Sequence, residues 1–141
     1  MSPVELWRER PDSSDRAQPL VMVRVLIAPE QLEPTIALYE RLLGVHCDLR
    51  FAYPEMDLSL ASVGNMLLIA GREEALAPFA HVAMTLLVAS LDAEIARFEE
   101  LGIELLEAPK AVPTGRNLLA RHPDGSIVEY VEHRPQPGET A

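Results

Sequence analysis

Two charged residues sit inside runs that are otherwise almost wholly apolar, and these are where chemistry would be sought first. Arg24 interrupts LVMVRVLI (20–27) and Glu129 interrupts IVEYV (127–131). A charge on a half-buried strand face must be paired or reach water, so either the two meet in an internal ion pair or they contact a polar group of a ligand. His81 opens a third apolar run, HVAMTLLV (81–88), where an imidazole is solvated, bonded to backbone or turned to a ligand. On strict alternation Ala83 and Thr85 share its row, and Thr85 adds a hydroxyl donor. Arg116 lies in a PTGR turn and reads as an exposed cation. The chain shows no Ser-His-Asp order, nucleophile elbow or phosphate-binding glycine loop. Its one cysteine, Cys47, excludes an internal disulfide and a cysteine-based zinc cluster.

The elements that must hold these groups follow from periodicity. The run 20–27 is rich in β-branched residues and reads as a strand. Its row Val21, Val23, Val25, Ile27 should lie under a helix, and the row Leu20, Met22, Arg24, Leu26 should face elsewhere. Leu32, Ile36, Tyr39, Leu42 and Leu43 recur at helical spacing over 31–43, and Gly44 stops the helix. Short strands are predicted at 45–52, 56–63 and 66–70. The second half repeats the sequence of elements: a strand over 81–88, a helix over 91–101 ended by Gly102, then strands near 103–106, 117–121 and 127–131. Set against each other, IALYERLLGV (36–45) and IARFEELGIE (95–104) share Ile-Ala, an aromatic three positions after Ile, a following Glu and a Leu-Gly stop. A duplicated β-α-β-β-β unit accounts for this, whereas three successive short strands without crossover helices disfavour a doubly wound parallel sheet.

Length and charge set the bounds. The chain has 141 residues, enough for one domain. Its 12 basic and 22 acidic residues give a net charge of −10, which repels phosphate backbones and leaves no basic stripe, so no nucleic-acid partner is expected. The same field either favours cationic ligands or serves solubility. No apolar run approaches the roughly 18 residues of a membrane span, so no membrane partner is expected. Residues 1–19 lack the apolar core of a secretory signal, which places the protein in the cytoplasm. That segment is polar and reads as a flexible tail with Leu6 and Trp7 as its only anchors. Residues 135–141 read as a second tail.

YERLLG (39–44), VASLDAEIARFEELGIE (88–104) and PTGRNLLARHPDGSIVEYVE (113–132) together resemble the vicinal oxygen chelate superfamily of glyoxalase I, extradiol dioxygenases and bleomycin-resistance proteins, over roughly 20–133. The resemblance implies an α+β glyoxalase-like domain, 20–134, made of modules at about 20–72 and 79–134. These would pair into a curved eight-stranded mixed sheet around a cleft, commonly in a homodimer. Metal-dependent relatives draw four ligands from the first and last strands of each module. Here Glu129 matches one ligand position. Aligning Gly64 with Gly125 puts Leu68 at its counterpart, Ala83 falls at another, and the fourth falls on Met22 or Arg24. Leu and Ala have no lone pair, Arg is permanently cationic and a thioether is a poor ligand for such ions. No cofactor and no metal are therefore expected. The alternative is one divalent ion held through His81 and Glu129, short of the three protein ligands usual for catalytic zinc. By resemblance Arg116 stands near the cleft mouth. The expected ligand-binding set is Met22, Arg24, Leu68, His81, Ala83, Thr85, Arg116 and Glu129. The expected function is metal-free binding of a small organic ligand, such as sequestration of a drug or metabolite. The alternatives are a divergent metal-dependent lyase or dioxygenase, or a metal-free isomerase with Glu129 as catalytic base.

Overall fold

Glycines at two positive-φ positions set the lengths of the two principal helices. The computed structural model describes residues 6–139. Helix α1 (Leu32–Leu43) ends at Gly44, φ 71°, and a second long helix (Leu91–Leu101) ends at Gly102, φ 73°. Left-handed backbone is open to glycine at little steric cost. The second helix starts at Ser90, whose hydroxyl accepts a hydrogen bond from the Ala93 N–H at 3.1 Å, and Asp92 and Glu94 in its first turn complement the helix dipole.

The strands are β1 (Trp7–Arg8), β2 (Leu20–Ile27), β3 (Cys47–Tyr53), β4 (Leu58–Val63), β5 (Met66–Ala70), β6 (Val82–Leu87), β7 (Glu104–Val112), β8 (Gly115–Arg121) and β9 (Ile127–His133). A one-turn helix α2 (Glu73–Leu76) follows β5, so the long helix after β6 is α3. The chain is α+β with mixed strand pairing, and each β-α-β-β-β repeat is present: β2-α1-β3-β4-β5 and β6-α3-β7-β8-β9. Nine strands are described where eight were expected, the extra one being β1. No helix among the described residues is long and apolar enough to cross a membrane.

The chain divides into two compact units. The first comprises residues 6–9 and Val23–Ala80. In it β3, β4 and β5 form an antiparallel meander, β1 adds to β3, and β5 runs parallel to the second half of β2, from Val23↔Met66 to Ile27↔Ala70. Its core joins Leu32 and Ile36 of α1 to Ala61, Val63, Leu68 and Ala70, with Val25 and Ile27 packed against it. Val21 and Val23 do not join that row under a helix. They are 51% and 46% exposed: Val21 lies in the half of β2 that does not run beside β5, and Val23 stands at the very first aligned pair, with Met66.

The second unit comprises Arg10–Met22 and residues 81–139. The first half of β2 pairs antiparallel with β6, β6 parallel with β9, β9 antiparallel with β8, and β8 antiparallel with β7. Leu91 and Phe98 of α3 pack on Val88, Leu118, Ala120, Val128 and Tyr130, with the Phe98 and Tyr130 rings edge to face at 5.3 Å. Strand β7 is longer than the expected 103–106 and carries Pro109, tolerated because β7 is an edge strand paired only with β8.

The segment read as an N-terminal tail shows specific contacts over its described part. Trp7 is 50% exposed while Arg8 is buried, so the apolar anchor is replaced by strand pairing to β3. Further on, the Ser13 hydroxyl donates to the Val88 carbonyl at 2.7 Å and accepts from the His133 N–H at 2.9 Å. Near the other end, the Gln136 N–H donates to Glu139 Oε1 at 2.9 Å in a turn. Residues 1–5 and 140–141 of the two expected tails lie outside the described residues.

Candidate functional site

Register in the second unit builds a polar row on the sheet face opposite α3. Met22 is aligned with Thr85, Thr85 with Glu129, and Glu129 with Leu119. Aligned residues on adjacent strands project to the same side. Val128 and Tyr130, one position either side of Glu129, pack towards α3, so the row faces the other way. Thr85 is 1% exposed and its hydroxyl donates to Glu129 Oε1 at 2.7 Å. Asn117, two residues before Leu119 on β8, donates from Nδ2 to Glu129 Oε2 at 2.7 Å. Both carboxylate oxygens are thus held by neutral donors from two flanking strands. The Asn117 Oδ1 atom is itself buried and has no hydrogen-bond partner among the described residues, leaving an acceptor beside the carboxylate that a ligand N–H or O–H would satisfy.

The remaining expected site residues are placed differently. Leu68 is fully buried among the α1-facing residues of the first unit, not on the face turned away from the helix. Leu67, aligned with Arg24, occupies the alternate face. The β4–β5 turn holds two residues between the aligned Val63 and Met66, whereas the β8–β9 turn holds five between Arg121 and Ile127, so aligning Gly64 with Gly125 does not preserve parity, and a one-residue slip moves a side chain to the other face of a strand. The corrected position is still apolar. Arg24 is partly buried in the first unit.

Ala83 falls at an irregularity in which Val82 and Met84 are aligned with the adjacent residues Ile127 and Val128. That extra residue breaks the strict alternation on which His81 and Thr85 shared a row. His81 lies in the exposed turn before β6 and is not brought to Glu129 by the strand register. Arg116 is aligned with Glu132, on the parity of Leu118 and Ala120, and so belongs to the α3 side. There its Nε donates to Glu132 Oε2 at 3.0 Å, and an Nη lies 3.7 Å from Asp92. It is not on the Glu129 face.

Glu132 organises that other side. It is 5% exposed and accepts the Leu91 N–H at 2.8 Å at the start of α3, with Arg134 at 3.6 Å. Burial pushes its carboxyl upward, but the Leu91 N–H, Arg116 and Arg134 outweigh burial and hold it below the ordinary value. His122, in the turn before Pro123-Asp124-Gly125, meets the Tyr130 hydroxyl at 2.7 Å through Nε2, and burial pushes that phenol upward.

The donor set around Glu129 does not fit a divalent ion. The aligned and hydrogen-bonded residues described above include a hydroxyl, a carboxamide, a methionine and a leucine. Among the described residues no three of His, Cys, Asp and Glu come together in a metal-binding group. Asn117 was missed from the sequence. The signal available was its parity with Leu119 in a strand paired to that of Glu129.

No protein-family model and no curated protein matches the chain. Solved structures do. An uncharacterized protein from Methanosarcina mazei is 41% identical with a TM-score of 0.73, the match covering 86% of this chain and 97% of that one. Methylmalonyl-CoA epimerase from Mycobacterium tuberculosis is 23% identical with a TM-score of 0.59, over 85% and 93% of the two chains. A variant methylmalonyl-CoA epimerase from Streptomyces coelicolor, solved with 2-nitronate-propionyl-CoA, is 17% identical with a TM-score of 0.58, over 88% and 98%. The chain therefore shares the fold of these epimerases and belongs to one family with the Methanosarcina mazei protein.

Proposed function

We infer that this protein binds a small organic molecule on the β6-β9-β8 face through Glu129 and Asn117, without a metal ion. The observation that carries this reading is the Glu129 carboxylate, fixed through both oxygens by Thr85 and Asn117 beside the unsatisfied Asn117 Oδ1. A carboxylate and an amide oxygen together call for a ligand that presents hydrogen-bond donors. Coenzyme A esters, the ligands of some fold neighbours, suit this chain poorly, since its net charge of −10 opposes a polyphosphate tail.

A second reading follows from the same carboxylate. Held in one orientation, Glu129 has the fixed geometry of a general base, able to take a proton from a carbon beside a carbonyl without a metal. In that case the protein is an isomerase.

Thermal-shift screening with neutral and cationic aromatic metabolites tests the binding reading, because a ligand that binds only the folded state raises its midpoint. Stabilisation by a donor-bearing compound, weakened in Glu129→Gln and Asn117→Leu, is the expected result. Equal stabilisation of both variants and the parent would overturn it. Solvent deuterium exchange into a bound carbonyl compound, lost in Glu129→Gln, would instead favour the isomerase.

A further inference from the structure

The parallel strands β2 and β5 of the first unit end together at Ile27 and Ala70. The Gly71 N–H still reaches the Ile27 carbonyl at 3.0 Å, after which the chain leaves the sheet. It then runs through α2 and a short 3-10 turn, neither of which buries a single residue. The cavity left between this segment and the strand ends has a volume of about 450 Å³, within the range of small-molecule sites. Leu26, Ile27 and Leu76 give it apolar walls. Gly71, Ala77 and Ala80 are small enough to leave the space unfilled. Among the described residues, Glu73 is the sole charged one lining it. The adjacent cation, Arg72, is directed elsewhere, donating to Asp57 Oδ2 through Nε at 3.0 Å and Nη2 at 2.8 Å.

The geometry points to a second ligand site here, for a molecule with a compact apolar body and one ammonium group. The body fills the space between Leu26 and Leu76, and the ammonium stays at the solvent edge beside Glu73. Charge complementarity selects the cation over an anion of the same shape, and the acidic surface of the chain reinforces the choice. The site lies wholly within the first unit and does not depend on the reading of Glu129.

The test uses the full chain, methyl-labelled, titrated with hexylammonium, hexanol and hexanoate and followed by NMR. Hexylammonium should shift the methyl signals of Leu26, Ile27 and Leu76, hexanol more weakly, and hexanoate least. Glu73→Gln should erase the preference for hexylammonium over hexanol, about two- to fivefold as expected for an exposed ion pair. Ala77→Trp, a substitution at an exposed position that fills the cavity, should abolish all three responses while leaving the other methyl signals in place. Absence of shifts in the parent, shifts confined to Leu87 and Leu119, or an unchanged response in Ala77→Trp would each overturn the proposal.

Discussion

Thr85 and Glu129 are aligned across the parallel pairing of β6 and β9, and the buried hydroxyl of the first donates to Oε1 of the second at 2.7 Å. The partner lies 44 residues away in the chain, so this contact is made by sheet register and not by local sequence. Replacing Thr85 by the nearly isosteric Val keeps the packing volume and removes the donor. A buried hydrogen bond to a charged acceptor contributes about 1.5 kcal/mol. Chemical denaturation of Thr85→Val should show a loss of that size, with an unchanged denaturant slope. No loss would mean that the hydroxyl does not hold the carboxylate.

Metal removal should leave the fold untouched. Among the described residues no three of His, Cys, Asp and Glu gather at Glu129, and His81 stands in an exposed turn outside its strand row. Structural metal sites contribute folding energy outright, so dialysis against a chelator would lower the melting midpoint if such a site existed. Differential scanning calorimetry should give the same midpoint before and after, and His81→Ala should behave as the parent. A drop restored by adding zinc or nickel would contradict the geometry described.

The duplicated modules were legible because they rest on strong local signals: the Leu-Gly stops of both helices, the apolar runs 20–27 and 81–88, and the shared Ile-Ala-aromatic-Glu pattern. The site was legible only where alternation held. Thr85 was placed on its row by counting in twos and Glu129 in the cleft by the family resemblance, and the register aligns the two. The Gly64–Gly125 alignment failed at Leu68, because turns of two and five residues do not keep parity and Leu68 lies on the α1 side, and counting failed at Ala83, where an irregularity in β6 took His81 off the row. Neither a turn length nor a bulge leaves a clear mark in composition. Ser13 was missed for a related reason: its contacts run to backbone atoms of Val88 and His133, and no side-chain pattern announces a backbone partner.

Acid should loosen the second unit through Glu132. Its carboxyl is held below the ordinary value of 4.5 by the Leu91 N–H, Arg116 and Arg134, against the opposing effect of burial. A carboxyl depressed on folding contributes stability that is fully present above its unfolded value and is lost as pH falls through the folded value. The contribution is therefore complete at neutral pH and is lost progressively as the solution is acidified past the unfolded value and through the lower folded one. Glu132→Gln should lower neutral-pH stability by about 2 kcal/mol. It should also flatten the acid limb of a stability-against-pH curve measured by urea denaturation. A parallel, merely displaced limb would assign the acid sensitivity to other carboxyls, Glu33 beside Arg50 among them.

Gly115 opens β8, and a Cβ built there would lie 2.1 Å from the Glu132 carbonyl oxygen and 3.1 Å from the Arg134 amide nitrogen. Both obstacles are backbone, so no side-chain rotation relieves the overlap. The two strands would have to part where Gly115 is aligned with His133, next to the Arg116–Glu132 pair. Gly115→Ala should therefore cost about 3 kcal/mol, at the upper end of single substitutions. Gly125→Ala serves as the control, because its Cβ would meet nothing within 4 Å and only its φ of 92° resists substitution. A substitution strained only by backbone conformation costs about 1–2 kcal/mol. Amide hydrogen exchange should show the Gly115→Ala loss concentrated at the start of β8 and the end of β9. Equal destabilisation by the two variants would mean that the close approach of β8 and β9 is relieved by a backbone shift.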